Sequence, residues 1–494
     1  MLFNSLAFAV FLPAVFVLAW SLHRAPLRLQ NLLLLAASYL FYGLWDWRFL
    51  ALLAGSSVLD YTLARLMAER AETERARKRL LILSLGVNLG VLGFFKYFGF
   101  FVDQARALLS LFGLDIGTAT LEIILPVGIS FYTFQTLSYS LDVYRRVVTP
   151  TRDLVAFLAF VSFFPQLVAG PIERAEDLLP QFLKRRVFQE ARARDALRQI
   201  LWGLVKKVLI ADNLAGAVEV AFGQHATLDG LSLGIGAALF FVQIYCDFSG
   251  YSDIAIGAAR LLGFDLTRNF AVPFFSRDFT EFWRRWHISL NTWLRDYVFL
   301  PLEVSARRRH QVRRRTQPSL PRTPPAWRTA AHMGFVFTLS GLWHGANWTF
   351  VLWGALCGLY LVPELLRRRP SAAGVVAQDR MWPTVGELAR MVGVNLAITL
   401  SLVLFRSKTL GQAGDIYARM VTEPWLAVDH LQWLEPMALA AFPIVIEWFQ
   451  RRRPHGLDIG HWPQPARWGV YLALIIALVL HGSVESREFV YFQF

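Results

Sequence analysis

Two histidines, His287 and His344, are the side chains of this sequence best suited to catalysis. Each stands in an apolar, aromatic-rich setting, within WRRWHISLNTW and SGLWHGANW respectively. Burial in such a setting disfavours the charged imidazolium. A neutral ring there could take a proton from a hydroxyl group, which is general-base chemistry. The alternative is that one or both are structural histidines whose hydrogen bonds are satisfied within the protein.

Motifs for several other chemistries are missing from the sequence. It has no HExxH, no GxSxG and no GxxxxGK[ST], so a zinc peptidase, a serine hydrolase and an ATPase lack support. Cys246 and Cys357 lie in separate apolar runs and form no CxxC pair, and we predict no metal site. Four further histidines are expected to face solvent or the membrane interface: His310, His430, His455 and His461.

The composition indicates a helical membrane protein that crosses the bilayer many times. Hydrophobic residues make up 55% of the 494 residues and charged residues only 17%, against roughly 25% charged residues in soluble proteins. Mean hydropathy is +0.41. The net charge of +14 is interpreted by position, since Lys and Arg collect in cytoplasmic loops. Nucleic-acid binding is a poor alternative, because the basic runs are short and separate apolar segments.

Apolar segments of about 20 residues predict an all-α fold with about a dozen transmembrane helices, between eleven and thirteen. The first segment, 1–22, has no basic leader or cleavage site and is predicted to be a retained span. Segment 153–182 is short and interrupted by proline and glycine, which predicts a re-entrant element. The basic clusters alternate consistently along the chain and place both termini outside the cytoplasm; the clusters lie at 65–79, 145–146, 184–198, 367–369 and 451–453.

The stretch from Glu281 to Glu303 is too charged to cross a bilayer, yet it is rich in Trp, Phe and Tyr. On a helix its aromatic residues share one arc and its arginines occupy the other side. We therefore expect one interfacial helix with its aromatic side chains in the membrane and its arginines towards water. His287 lies at the border, one turn before Asn291. The basic, proline-rich residues that follow, 305–325, are predicted to form a mobile cytoplasmic loop.

Other polar and small residues lie within apolar segments. Asp247 and Asp253 predict either a functional site or, as the favoured interpretation, a buried hydrogen-bond network, because intramembrane carboxylates are costly. Gly341 and Gly345 form a small-xxx-small pair that allows close helix packing. No internal repeat is present, and we predict a single integral-membrane domain over 1–494; it comprises N-terminal spans 1–120, a motif-bearing core 121–366 and C-terminal spans 389–494.

Several of these motifs together resemble those of a known family. WRRWHISLNTWLRDYVFLPL, followed about fifty residues later by SGLWHGANWTFVLWG, is similar to the membrane-bound O-acyltransferase family. The similarity is strongest to its bacterial branch of alginate O-acetyltransferase membrane subunits and teichoic-acid D-alanyl transfer proteins. Further matching stretches are PVGISFYTFQTLSYSLDVYR, FFPQLVAGPIER, YCDFSGYSDIAIG and FVYFQF.

The resemblance implies a bundle of spans around a central tunnel, with cytoplasmic helices as its floor. His344 would be the active-site histidine that deprotonates the acceptor hydroxyl. His287, with Asn291, would orient the acyl carbonyl or stabilise the oxyanion. Ser340 and Trp343, beside His344, are further supporting candidates.

The arginines of the same stretch are candidates for binding the acyl donor. Arg284, Arg285 and Arg295 lie on the cytoplasmic side in the predicted topology and could meet donor phosphates. Lipid headgroups, or Asp296, are alternative partners for them.

The resemblance also implies the substrates, the partner and the location. The acyl group would be acetyl, from acetyl-CoA or a donor derived from it, with no bound cofactor. The acceptor hydroxyl would belong to a secreted or cell-surface polysaccharide, reached directly or through a periplasmic SGNH-type partner. The protein would lie in the bacterial inner membrane, with its N-terminus extracytoplasmic.

Two other function classes fit parts of the sequence. A transporter or flippase would explain the interrupted segment and the buried Asp247 and Asp253, although the lack of an inverted repeat disfavours it. A non-catalytic scaffold of a polysaccharide export complex would need both histidines only for structure. Substitution of His344 separates the three, because the acyltransferase alone loses acetylation at a normal protein level.

Overall fold

The computed structural model describes residues 1–114, 123–168, 170–317, 319, 321–367, 374–423, 430–482 and 489–490. Across these ranges the chain is all-α, and none of them contains a strand. The helices are α1 Leu6–Ser21, α2 Leu27–Asp46, α3 Leu50–Glu69, α4 Glu74–Ser110, α5 Ile129–Tyr144, α6 Leu154–Ser162, α7 Phe164–Leu167, α8 Ala175–Phe182, α9 Glu190–Leu204, α10 Asp212–Gly223, α11 Gly230–Leu261, α12 Phe279–Arg285, α13 Ile288–Leu294, α14 Leu300–Thr316, α15 Ala326–His344, α16 Trp348–Arg367, α17 Val385–Arg406, α18 Leu410–Thr422, α19 Leu434–Phe449 and α20 Gln464–His481.

Several of these helices are long and apolar enough to cross a membrane. In the described ranges six helical stretches meet that requirement: 27–69, which holds α2 and α3, and the single helices α4, α11, α16, α17 and α20. The predicted all-α, multi-pass membrane class is therefore confirmed. The count of eleven to thirteen spans, the central tunnel and the division into N-terminal, core and C-terminal parts stay predictions.

By their contacts the residues fall into two compact units. The first comprises Met1–Leu197 and Ala255–Thr267, and the second comprises Arg198–Ile254 and Arg268–Phe494. In the first unit, the segment predicted to be re-entrant is interrupted as expected. It forms α6, α7 and α8, with a break at Phe163, whose side chain is fully buried. Its position in a bilayer stays a prediction.

The prediction of one continuous helix from Glu281 to Glu303 is wrong. α12 ends at Arg285, Trp286 is extended, and His287 has a positive φ of 44° before α13 begins. The break forms because this backbone pairs with an earlier segment: Ala271 N donates to Arg285 O at 2.9 Å, and Ile288 N donates to Asn269 O at 2.9 Å. These bonds replace helical ones at the turn.

The aromatic face of this stretch is also not in the membrane interface. Phe282, Trp286 and Trp293 are buried within the protein. The Trp286 ring packs against Phe270 at 5.2 Å and Phe241 at 5.8 Å between centroids. An aromatic stripe at helical spacing suits a protein core as well as a membrane surface, and neighbouring helices decide between the two.

The basic residues after Glu303 are largely helical, so the predicted mobile loop is wrong for 305–316. α14 continues to Thr316 and includes the run of arginines. Arginine is a good helix former, and Glu303 pairs with Arg307 one turn later at 3.7 Å. The helix ends just before the proline-rich part of the segment.

Candidate active site

His287 lies at the break between α12 and α13, and a buried polar network fixes its ring. Its Nδ1 lies 3.1 Å from Asn269 Oδ1. The same oxygen accepts hydrogen bonds from the Ser289 backbone N–H at 3.3 Å and the Ser289 hydroxyl at 3.0 Å, while Asn269 Nδ2 donates to Ser252 Oγ at 3.3 Å. Because Asn269 Oδ1 is an acceptor, His287 Nδ1 carries the proton. Nε2 therefore holds the lone pair.

The Nε2 atom of His287 is buried and has no hydrogen-bond partner within the described ranges. His287 lies outside the helices that could span a membrane. Burial lowers the pKa of its imidazole to about 3, because desolvation disfavours the charged ring. The ring is thus a neutral hydrogen-bond acceptor at physiological pH. In this tautomer it cannot donate a hydrogen bond to an oxyanion.

His344 is the last residue of α15 and lies in an aromatic cage. Its ring centroid is 4.9 Å from that of Trp343, 5.2 Å from Trp353 and 5.4 Å from Phe405. The cage depends on close packing of α15 and α16. A Cβ on Gly341 would meet Phe350 O at 2.1 Å, so only glycine fits there.

The glycine pair predicted from the sequence is confirmed as a close-packing site. A Cβ on Gly345 would lie 2.3 Å from the Phe350 ring. Both glycines of the pair therefore sit where any larger residue would separate α15 from α16.

Trp343 brings the two histidines together. Its ring lies 6.0 Å from that of His287 and 4.9 Å from that of His344, centroid to centroid. The histidines are therefore no farther apart than the sum of these distances, although they are far apart in sequence. His287, Trp343 and His344 form one cluster, which we call the histidine cluster.

A largely apolar cavity of about 370 Å³ lies beside the histidine cluster. Four predicted supporting residues line it, together with aromatic and aliphatic side chains; the four are Arg284, Asn291, Arg295 and Ser340. Neither histidine lines it directly, but Ile288, next to His287, does so, as does Ser340, one helical turn before His344. A volume of 300–1,000 Å³ is typical of small-molecule sites.

Three of the predicted supporting side chains have structural partners. Asn291 Nδ2 donates to Trp286 O at 2.6 Å and thereby closes the end of α12. Arg285 pairs with buried Glu281 at 2.6 Å. Arg295 pairs with Asp296 at 2.7 Å, the alternative partner foreseen for it.

Arg284 is the exception among these arginines. Its side chain is exposed and lines the apolar cavity. Of the three candidate arginines, Arg284 is therefore the best placed to bind an anionic substrate.

Two tryptophans of this site were not singled out from the sequence. The indole N–H groups of Trp283 and Trp353 are buried and have no hydrogen-bond partner in the part of the chain that the structure describes. Their rings are 6.2 Å apart, and Trp353 contacts His344. With 17 tryptophans in the chain, composition alone could not distinguish them. Asn269, which orients His287, carried no sequence signal either.

The buried carboxylates on α11 belong to a charged network, the favoured interpretation of the sequence. Lys207 Nζ lies 2.7 Å from Asp247, and Lys206 Nζ lies 2.6 Å from Asp253. Both lysines were missed, although a Lys–Lys pair inside an apolar run is itself a signal for buried ion pairs. They lie in a π-helical segment, Val205–Ala211.

Comparison with known proteins supports the same family as the motifs. Residues 148–316 match the membrane-bound O-acyltransferase family. A probable alginate O-acetylase of Pseudomonas putida is 34% identical over 94% of this chain and 95% of its own length. A probable alginate O-acetylase of Pseudomonas aeruginosa is 39% identical over 80% of this chain and 70% of its own length.

A peptidoglycan O-acetyltransferase of Helicobacter pylori is also similar. It is 33% identical over 87% of this chain and 82% of its own length. Each of these relatives matches most of the chain. The chain therefore belongs to the membrane-bound O-acyltransferase family and is a multi-pass membrane O-acyltransferase.

Proposed function

We propose that the protein transfers an acetyl group from a cytoplasmic donor, acetyl-CoA or a donor derived from it, to a hydroxyl of a secreted or cell-surface polysaccharide. The observation that carries this proposal is the buried histidine cluster, with a neutral His287, beside an apolar cavity. The names of its relatives, which describe acetylation of alginate and of peptidoglycan, support acetyl as the group and a glycan as the acceptor.

His344 is the general base in this scheme. It takes the proton of the acceptor hydroxyl while the hydroxyl oxygen attacks the acetyl carbonyl, and the C–O bond forms. The tetrahedral intermediate then collapses, the bond to the donor's leaving atom breaks, and the leaving group takes the proton from His344. General-base catalysis of this kind contributes about 10²–10⁴-fold.

His287 positions substrate by accepting a hydrogen bond. Its Nε2 lone pair suits an N–H or a second O–H of a substrate, since Nδ1–H is already bound to Asn269. A neutral partner such as Asn269 fixes the tautomer without the charge of a carboxylate, which would favour imidazolium.

The oxyanion requires donors other than His287. The indole N–H groups of Trp283 and Trp353 are buried donors without a partner in the described ranges, and Trp353 contacts His344. We assign them to the developing oxyanion, because preorganised donors in a dry site stabilise it strongly.

The apolar cavity is the donor side of this site. Its walls suit the uncharged arm of a thioester, and Arg284 is placed to meet the donor's phosphates. In the predicted topology Arg284 and Arg295 are cytoplasmic, as this role requires. Location in a bacterial inner membrane, an extracytoplasmic N-terminus and relay of the acetyl group through a periplasmic SGNH-type partner are parts of the same proposal.

The test compares His344→Ala with His461→Ala in cells that lack the native protein. His461 is exposed and lies in a loop, so it controls for the loss of an imidazole. We expect His344→Ala to lower polysaccharide O-acetyl content at least about 100-fold at an unchanged protein level. Unchanged acetylation would overturn the proposal and favour a transporter. A parallel fall in protein level would favour a scaffold.

A further inference from the structure

A second, much smaller pocket lies in the same unit as the apolar cavity. Its volume is about 10 Å³, against about 370 Å³ for the apolar cavity. That is room for one group of the size of a water molecule or a methyl. We call it the small pocket and define it by Trp283, Trp286, Trp353, Ile398, Leu402 and Phe405.

The small pocket lies between the histidine cluster and the apolar cavity. Two of its wall residues, Trp353 and Phe405, contact the His344 ring, at 5.2 Å and 5.4 Å between centroids. Trp283 lines both the small pocket and the apolar cavity. A group bound in the small pocket is therefore one side chain away from His344 and one side chain away from the apolar cavity.

The walls of the small pocket suit an acyl group. They are aromatic and aliphatic apart from indole N–H groups and the Ser401 hydroxyl, which donates to Ile398 O at 2.8 Å. The N–H groups of Trp283 and Trp353 are buried and have no hydrogen-bond partner in the described ranges. An acetyl group matches both properties, because its methyl is apolar and its carbonyl oxygen accepts hydrogen bonds from N–H groups.

Aromatic packing fixes the walls of the small pocket. The Trp353 ring lies 4.9 Å from that of Phe405 and 6.2 Å from that of Trp283, centroid to centroid. The Trp286 ring stacks on Phe282 at 5.6 Å. Protein interiors are close-packed, so these rings cannot move apart to admit a larger group without disturbing their neighbours.

One face of α17 supplies aliphatic wall residues. Ile398, Ser401, Leu402 and Phe405 line the small pocket at positions i, i+3, i+4 and i+7, which is the spacing of one helix face. Ile398 and Leu402 are each 3% exposed, whereas Leu400, on the other side of the helix, is 38% exposed. Shortening either of the two buried side chains would therefore enlarge the small pocket.

We infer that the small pocket takes the methyl group of the acetyl donor and that Ile398 and Leu402 limit transfer to acyl groups of two carbons. This assignment rests on the proposed function and names the residues that select its acyl group. A propionyl group carries one more methylene, for which a pocket of about 10 Å³ has no room. One methylene too many in an apolar pocket lowers a rate by about 10–200-fold.

The experiment is a competition between two acyl donors. Acetyl-CoA and propionyl-CoA, at equal concentration, are supplied to membranes and periplasm of cells that produce the polysaccharide and carry one variant as their only copy of the protein. Mass spectrometry of the acyl groups released from the polysaccharide by alkali gives the acetyl-to-propionyl ratio. Earlier and later steps meet the same mixture in every sample, so a difference between variants comes from this chain. We expect a wild-type ratio of at least about 10.

Leu402→Ala enlarges the small pocket, and we expect it to lower the ratio about tenfold and to raise the amount of propionyl transferred. A damaged protein cannot produce that gain. Ile398→Val removes only one carbon atom, which disturbs packing less, and it should lower the ratio by a smaller factor. It decides the test if Leu402→Ala lowers the protein level. Leu400→Ala, the same substitution on the exposed side of α17, is the matched control and should keep the wild-type ratio.

The outcomes separate the small pocket from the proposed function. An unchanged ratio in both Leu402→Ala and Ile398→Val, while acetyl transfer continues, would overturn the assignment of the pocket and leave the proposed function intact. A wild type that transfers propionyl as readily as acetyl would do the same, as would an equal shift of the ratio in Leu400→Ala. Acyl transfer by His344→Ala, at any ratio, would instead overturn the proposed function.

Discussion

The two histidines of the cluster both pack against aromatic rings, and His287 is in addition held by a polar network. Hydrogen bonds hold His287: Asn269 fixes its tautomer, and main-chain pairing with 269–271 fixes its backbone at a positive φ. Aromatic rings hold His344, at the end of a helix whose packing depends on glycine. The orientation of His287 thus depends on polar atoms as well as on packing.

This difference suits the two histidines to two separate tasks of the same reaction, the positioning of a substrate and the transfer of a proton. A ring fixed by a neutral amide keeps one lone pair aimed in a set direction, which suits positioning of a substrate. A ring enclosed by aromatic side chains is kept from water, which suits proton transfer in a site of low dielectric. The ring nitrogen Nδ1 of His287 is bound by the amide of Asn269 and not by a carboxylate, so a His–Asp relay does not describe His287.

The largest expected effect comes from removing the Nε2 lone pair of His287, the histidine that the polar network holds. Asparagine tolerates a positive φ, so His287→Asn should keep the break between α12 and α13. We expect acetyl transfer in isolated membranes to fall more than about 10²-fold at a normal protein level, because even a small displacement of a bound substrate costs about that much. His287→Ala, which also strains the backbone, should in addition lower the protein level. A rate within twofold of wild type in His287→Asn would show that the ring is structural.

A smaller effect is expected from substitution of Trp353, whose ring contacts His344. Trp353→Phe keeps an aromatic ring beside His344 and removes the indole N–H together with part of the ring system. If that group binds the oxyanion, kcat should fall about 100-fold with little change in KM. Trp468→Phe, at an exposed tryptophan, is the control. An unchanged kcat would exclude the Trp353 N–H from the oxyanion site and reduce its role to packing.

The smallest expected effect is on stability in acid. The pKa of His287 is near 3 when folded and about 6.5 when unfolded, so the unfolded chain binds the proton more readily. The stabilisation is complete above pH 6.5 and is lost as the pH falls towards 3, by up to about 1.4 kcal/mol per pH unit. Thermal midpoints in nanodiscs between pH 7.5 and pH 4.5 should fall more steeply for wild type than for His287→Asn. Equal slopes would contradict a neutral, buried His287.

The sequence by itself determined the class of protein, the family and the two histidines. Hydropathy of successive residues predicts membrane helices because each span satisfies its own backbone hydrogen bonds. The close-packing pair Gly341 and Gly345 could be predicted from the sequence because helix packing of this kind depends on a spacing of four residues.

Only the tertiary structure decided the backbone conformation of the two histidines and the side chains that surround them. The break at His287 depends on Asn269, eighteen positions earlier, and no local periodicity reports such a pairing. The same holds for Trp353 beside His344, which looks like an ordinary residue of an apolar segment. Period and hydropathy describe what each residue is next to along the chain. Hydrogen-bond partners, tautomers and cavities depend on what is next to it in space.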